Sequence, residues 1–318
     1  MSGEKKARLE GRVAIVTGSG RGLGRAQALA LAEAGATLVI NDVGASTTGL
    51  GDRENVAQTV VDEIVAQGGS AVANGDDVAT MSGAKALVET AMDNFGRIDI
   101  LVNNAGIARP SPIYKMKEED WDAVIAVHLK GHFGMIRQAS PVMIRQRQGV
   151  IVNIASNSGQ GHYGNANYSA AKEGIVGLTR TVARDLGEFG IRCNALRPQG
   201  WTRLGTPEMV ETIRYSQEVL GIPGNGNMWI AEEAVFPTPE QVGLFVAWMC
   251  TDAMANVTGR TFFACGGKVG LYPEPIIERM VTQPGGWTLD SLDALGRDAL
   301  VGDIVNPFEG RVRPVDAA

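Results

Sequence analysis

Val13-Ala14-Ile15-Val16-Thr17-Gly18-Ser19-Gly20-Arg21-Gly22-Leu23-Gly24 is the stretch on which the fold turns. Its first five residues are mostly aliphatic and predict a buried strand, Val13–Thr17, and residues 23–34 predict the helix that follows. A glycine-rich turn between such a strand and helix lets backbone N–H groups and the positive helix end meet a pyrophosphate. A side chain at Gly18, Gly22 or Gly24 would block that approach or the packing of helix on strand. Glycine clusters alone are commonly just turns; the flanking strand and helix supply the context a dinucleotide site requires.

The same alternation continues outward. Strands are expected at Thr37–Asn41 and at residues 70–73, 98–103, 150–155, 192–196 and 259–263. Helices are expected at residues 53–67, Met81–Phe95, 118–147 (one or two helices) and 167–188, the first with Val56, Val60, Ile64 and Val65 on one face. The fold class implied is α/β: a Rossmann-type doubly wound parallel sheet of about seven strands, helices on both faces. Residues 1–270 are read as one domain and 271–318 as a C-terminal extension packed on it. Two segments break the rhythm. Residues 43–52 form a Gly/Ser/Thr loop near the cofactor, and residues 203–237, with Pro207, Pro223, Gly224, Gly226 and Trp229, read as a substrate lid.

Composition excludes several classes. The 318 residues carry a net charge of -6 and no basic stripe, which argues against nucleic acid. Three scattered cysteines, Cys193, Cys250 and Cys265, have neither metal-ligand spacing nor an even count, so no metal and a reducing, cytoplasmic setting are expected. Residues 1–12 are charged and lack the apolar core of a secretory signal, and no run is long enough to span a membrane. The 41 glycines are about twice the usual ~7% and mark tight turns and close backbone approaches.

Chemistry-bearing residues gather at the expected carboxyl ends of the strands, where ligands of such sheets bind. Asp42 follows the second strand, where a carboxylate accepts from both adenosine ribose hydroxyls and repels a 2′-phosphate; the alternative is a plain strand-end acid. Arg21 pulls the other way, since a cation there could hold that phosphate. On balance NAD is expected, with NADP the lesser choice. Asp76-Asp77-Val78 ends the third strand, where an acid could meet the adenine amino group. Asn103-Asn104-Ala105-Gly106 ends the fourth, and Ser156 follows the fifth. Tyr168 and Lys172 share one helix face about one turn apart, and a nearby ammonium favours a phenolate, which makes Tyr168 an acid/base candidate. Tyr-x-x-x-Lys alone is a common accident.

Taken in order, Thr17-Gly18 with Gly22 and Gly24, Asn103-Asn104-Ala105-Gly106, Ser156 and Tyr168-x3-Lys172 resemble the short-chain dehydrogenase/reductase family, from Gly11 to about Gly267. The resemblance implies an NAD-dependent oxidoreductase acting on a secondary alcohol or ketone. It makes Tyr168 the acid/base, Ser156 the hydrogen-bond partner of the substrate oxygen (Ser158 is the alternative), and Lys172 the residue that lowers the tyrosine pKa and holds the nicotinamide ribose. The implied cofactor contacts are Gly18, Arg21, Gly22, Leu23, Gly24, Asp42, Asp76, Asp77, Val78, Asn103, Ala105, Gly106, Tyr168, Lys172, Pro198, Gly200 and Thr202. Two departures stand out. The family's frequent Asn-x-x-Gly reads His128-Leu129-Lys130-Gly131, so His128 either supports a water-based proton relay or fills space. The usual Pro-Gly after the sixth strand reads Pro198-Gln199-Gly200-Trp201-Thr202.

Within the family, Asn41-Asp42-Val43-Gly44, residues 68–74, Val127-His128-Leu129 and the extension near residues 266–270 are similar to the (3R)-hydroxyacyl-CoA dehydrogenase unit of peroxisomal multifunctional enzymes and its bacterial relatives. That implies an acyl thioester or steroid substrate, with Met209, Val219, Leu220, Met228 and Trp229 as candidate apolar lining. The alternatives are a 3-oxoacyl-carrier-protein reductase or generic ketone reductase, and, outside enzymes, a nucleotide-sensing module. Apolar residues on more than one face of the helices at 118–147 and 167–188 fit a homodimer or homotetramer.

Overall fold

Strands form where aliphatic residues run unbroken, because a parallel sheet covered by helices buries both faces of every strand. The computed structural model describes residues 8–51, 54–200, 214–215, 237–304 and 306. β1 (Val13–Thr17) is buried at all five positions. α1 (Gly22–Glu33), β2 (Thr37–Asn41), α2 (Val56–Ala66), β3 (Ala71–Asn74), α3 (Met81–Phe95) and β4 (Ile100–Asn103) follow. Then come α4 (Glu118–Ile125), a π-helical turn (Ala126–Lys130), α5 (Gly131–Gln146), β5 (Gly149–Ile154), α6 (Ala166–Gly187), β6 (Ile191–Gln199), α7 (Pro239–Met249), β7 (Thr261–Cys265) and β8 (Lys268–Leu271).

The strands make one sheet of order β3-β2-β1-β4-β5-β6-β7-β8, parallel except for β8. Successive residues of a strand face opposite layers. Thus Ala14, Val16, Leu38, Ile40, Ile100, Val102 and Val152 pack with α1, α2 and α7, while Ile15, Val39, Leu101 and Ile151 pack with α3, α5 and α6.

The expected doubly wound sheet is present, with eight strands among the described residues rather than about seven. β8 escaped the pattern because it is an exposed antiparallel edge hairpin, Cys265 pairing with Lys268 across Gly266 and Gly267. The stretch 118–147 resolves into α4 and α5 around the π-helical turn. α2 starts later than residue 53, at Val56, because the Asn55 side chain caps it by accepting from the Gln58 N–H. Most of the lid expected at 203–237, including the five named apolar residues, lies outside the described residues, as does Thr202.

The extension packs on the domain at its start. The Tyr272 N–H donates to the Thr261 carbonyl at 2.9 Å, and Glu274 pairs with Arg180 at 2.7 Å. Beyond that, Ile276 and Leu289 are 86% and 81% exposed, and Met280, Leu295 and Ile304 are exposed too.

α1 and α7 cross where Gly243 meets the backbone of α1. A Cβ on Gly243 would stand 2.4 Å from the Ala26 carbonyl oxygen, which belongs to main chain and cannot swing aside. Gly243→Ala is expected to destabilise the protein by about 1–3 kcal/mol, the usual cost of overpacking, seen as a lower denaturant midpoint at unchanged slope.

Candidate active site

β1 and β4 lie side by side where the strand order reverses, so the turns leaving them flank the crevice. Thr17 Oγ1 accepts the N–H groups of Asn104 and Ala105 at 2.9 and 3.0 Å, and Asn104 Nδ2 donates to the carbonyls of Thr17 and Gly18 at 3.0 and 3.1 Å. A Cβ on Gly18 would stand 2.7 Å from Ala105 Cα, and one on Gly24 would stand 2.2 Å from the Gly18 carbonyl oxygen. Gly18 and Gly22 take left-handed φ values of 62° and 55°. Only bare backbone fits this turn at the start of α1, which suits a pyrophosphate cradle. Leu23 stands across from Gly200, where a Cβ would meet its Cδ2 at 3.3 Å. Pro198, in β6, pairs with Ala264 of β7.

Asp42 does more than end β2. Its Oδ2 accepts the Gly20 N–H at 2.9 Å and its Oδ1 accepts the Gly44 N–H at 2.8 Å, so the carboxylate braces the glycine turn and the loop after β2 together. Arg21 is ion-paired with Glu54. At the end of β3, the Asn74 amide donates to Asp76 Oδ2 at 2.7 Å, and Asp77 Oδ1 accepts the Ala79 N–H at 2.9 Å, ahead of buried Val78. The side chain of Asn103 turns inward, buried, and donates to Asn153 Oδ1 at 2.9 Å.

On the far side of the crevice, α6 and the turn after β5 bring Tyr168, Lys172 and Ser156 together. Ser156 hydrogen-bonds the Tyr168 phenol, whereas Ser158 Oγ lies 3.2 Å from His162 Nδ1 and so is turned elsewhere. Lys172 Nζ donates to the Ile154 carbonyl at 2.6 Å and sits 5.5 Å from the Tyr168 ring centroid. Burial governs both titrations. It pushes the Tyr168 phenol up to about 12, partly offset by the Ser156 hydrogen bond, and it pushes the Lys172 ammonium down to about 7. Burial thus outweighs any acidifying effect of the neighbouring ammonium on the phenol.

His128 lies in the π-helical turn, a feature that often marks functional sites. Its Nε2 is 2.8 Å from the Ile107 carbonyl oxygen and 3.1 Å from the Ile107 nitrogen, and its ring stands edge-on to Tyr168 with centroids 5.0 Å apart. A Cβ on Gly106 would come 2.4 Å from His128 Cε1, so that glycine is what admits the ring. Burial, then the Lys172 charge, holds its pKa well below the ordinary value. His132 Nδ1, 2.6 Å away, donates to the His128 carbonyl. The ring is buried, with Nε2 on the Ile107 backbone and Nδ1 without a hydrogen-bond partner among the described residues.

Sequence reasoning missed a second ring of residues. Arg197, 4% exposed in a strand otherwise apolar at its centre, donates from Nη1 to the Ser156 carbonyl at 2.9 Å and from Nη2 to Glu173 at 2.8 Å. The signal was a charged residue inside the run Ala195-Leu196-Arg197-Pro198. Pro112, Tyr114, His162, Tyr163 and Ser169 line a mainly apolar cavity of about 290 Å³ beside α6. Among the described residues, no cluster of His, Cys, Asp or Glu is placed to hold a metal, and no helix is long and apolar enough to cross a membrane.

The family pattern described as short chain dehydrogenase matches residues 12–211. The chain is 40% identical over 264 residues to peroxisomal multifunctional enzyme type 2 of Mus musculus, covering 83% of this chain but 33% of that protein, so it spans about a third of that relative's length. It is 41% identical over 263 residues to a 3-oxoacyl-[acyl-carrier-protein] reductase of Synechocystis, covering 82% and 98% of the two chains. It is 37% identical over 309 residues to the hydroxyacyl-CoA dehydrogenase ChsB1 of Mycobacterium tuberculosis, covering 92% and 90%. A solved short chain dehydrogenase from Mycobacterium avium superposes with a TM-score of 0.76 at 36% identity, covering 96% and 97%.

The Lys172 shift has a consequence for stability. Below pH about 7 the folded chain carries a buried ammonium; between about 7 and the ordinary lysine value the unfolded chain alone binds that proton, so the penalty shrinks as pH rises. Lys172→Met is therefore expected to raise the melting temperature more at pH 6 than at pH 10, measured by paired thermal unfolding of both proteins.

Proposed function

The chain belongs to the short chain dehydrogenase family and is an oxidoreductase, and from that premise we propose that it oxidises a 3-hydroxyacyl thioester, or a hydroxysteroid, with NAD. The observation that carries this reading is the meeting of Ser156, Tyr168 and Lys172 across the crevice from a turn with room only for backbone. Gly18, Gly22, Gly24, Leu23, Ala105, Gly106 and Gly200 would hold the dinucleotide, with Asp42 at the adenosine ribose and Asp76, Asp77 and Val78 toward the adenine. When bound, the nicotinamide ring supplies the hydride acceptor.

Ser156 then orients the substrate oxygen, and Tyr168 takes the hydroxyl proton as hydride leaves the carbinol carbon, giving the ketone. Lys172 sits where it can serve both the phenol and the nicotinamide ribose. Two features support NAD over NADP: Asp42 presents negative charge to a 2′-phosphate, and Arg21, the cation that could oppose it, is paired with Glu54. The hydroxyacyl-CoA substrate rests on the similarity to ChsB1, which runs through most of both chains. A second reading, reduction of a 3-oxoacyl-carrier-protein thioester with NADPH, is favoured by the similarity to the Synechocystis reductase over nearly all of its length.

Exposed Trp121 and Phe133 on α4 and α5 support a homodimer or homotetramer, and three free cysteines support a reducing cytoplasm.

A panel of 3-hydroxyacyl-CoA, hydroxysteroid and 3-oxoacyl-carrier-protein substrates with both dinucleotides separates the readings. The expected result is faster turnover of hydroxyacyl-CoA with NAD; a larger kcat/KM for the carrier-protein substrate with NADPH gives the second reading instead. Tyr168→Phe is expected to lower kcat roughly 10²–10⁴-fold with dinucleotide Kd nearly unchanged. Turnover persisting in that variant removes Tyr168 from the acid/base role.

A further inference from the structure

The catalytic serine is held from behind by the C-terminal extension. Ser156 has an extended backbone (φ -163°, ψ 154°), and its side chain accepts the Ser158 N–H at 3.2 Å. Its carbonyl accepts the Gly159 N–H at 3.1 Å and Arg197 Nη1 at 2.9 Å. Arg197 is buried, ties to Glu173 of α6 through its other terminal nitrogen, and lays its guanidinium over the Tyr272 ring, 5.1 Å from the centroid. The Tyr272 hydroxyl donates to Asn157 Oδ1 at 2.7 Å, and Asn157, itself buried, is the residue next to Ser156.

Tyr272 is in turn fixed from the sheet side. It is the first residue after β8, and its N–H donates to the Thr261 carbonyl of β7. Two residues on, Glu274 bridges Arg180 of α6 at 2.7 Å and Arg260 at 3.6 Å. The start of the extension therefore spans β7, α6 and the serine turn with polar contacts, while its apolar residues farther on stay exposed.

We infer that Tyr272, acting with Arg197, is a positioning residue: the extension serves as a strap that sets Ser156 against Tyr168 and the reacting oxygen. The inference rests on the dehydrogenase reading above. Two fixings meet on consecutive residues, Arg197 on the Ser156 carbonyl and Tyr272 on the Asn157 side chain, so slackening the strap lets the serine hydroxyl drift from the phenol. Ser156 favours the charged form of Tyr168, so a drifting serine makes the phenol harder to ionise.

Wild type, Tyr272→Phe and Tyr272→Leu are compared in the full chain. The phenylalanine keeps a ring over Arg197 and loses the bond to Asn157; the leucine loses both. The expected result is a graded fall in kcat for alcohol oxidation, about fivefold for Phe, as one lost hydrogen bond gives, and more for Leu. KM and dinucleotide Kd stay within about twofold, and the ascending limb of the pH–rate profile, which reports ionisation of the phenol, moves to higher pH. A general structural defect would instead weaken dinucleotide binding and lower the melting temperature with the limb in place, and that outcome overturns the inference. So does wild-type kcat with an unmoved limb in Tyr272→Leu. Should the wild-type chain turn over no alcohol or ketone with either dinucleotide, the parent reading fails on its own. Crystal structures then decide the strap: a displaced Ser156 in Tyr272→Leu upholds it, and a superimposable serine turn overturns it.

Discussion

Two turns, one leaving β1 and one leaving β4, are sewn together by Thr17 and Asn104, and that seam fixes how the two turns stand at the carboxyl edge of the sheet. Thr17 Oγ1 takes two backbone N–H groups from the β4 turn, and the Asn104 amide returns two bonds to the β1 turn. Neither side chain has a dispensable role, since each removal leaves partly buried backbone groups without partners. Amide pairs carry the same logic across the sheet. Asn41 stands in register with Asn74 and bonds it at 2.9 Å; Asn103 stands in register with Asn153 and bonds it at 2.9 Å. Polar side chains at the strand ends thus satisfy one another inside the protein, which rigidifies the loops that carry the chemistry.

The parts legible in the sequence were those whose meaning is local. A strand, a glycine turn and a helix in succession needed no tertiary knowledge, and the β1, β2 and α3 bounds follow from apolar periodicity alone. Tyr168 and Lys172 were legible because one helical turn puts them on one face. What was not legible depends on distant partners. Arg197 reads as an odd charge in a strand until Ser156, Glu173 and Tyr272, from other elements, surround it. Asn103 looks like a crevice residue, yet the strand alternation aims its amide at Asn153. The π-helical turn has no periodicity signal of its own, since one extra residue per turn hides inside a continuous helical pattern. β8 is short and exposed, so no run of buried aliphatic residues announces it.

The site's electrostatics follow from the same burial that shapes the core. An ammonium one helical turn from a phenol suggests a phenolate, but Lys172 donates a hydrogen bond to the Ile154 carbonyl and lies in a medium that disfavours any charge. Tyr168 rises, Lys172 falls, and His128 and His132 are held neutral, His132 down to about 3. Every group moves toward its uncharged form, which is the mark of desolvation rather than of a charge pair. A neutral phenol donates readily to an oxygen gaining negative charge, as ketone reduction would ask of it. Oxidation asks Tyr168 to accept a proton, and for that the phenol must first ionise against burial. The Ser156 hydroxyl lowers that cost, because its hydrogen bond stabilises the phenolate. Where the serine stands therefore bears on how readily the phenol ionises, and contacts from β6, α6 and the first residue beyond β8 meet around its turn.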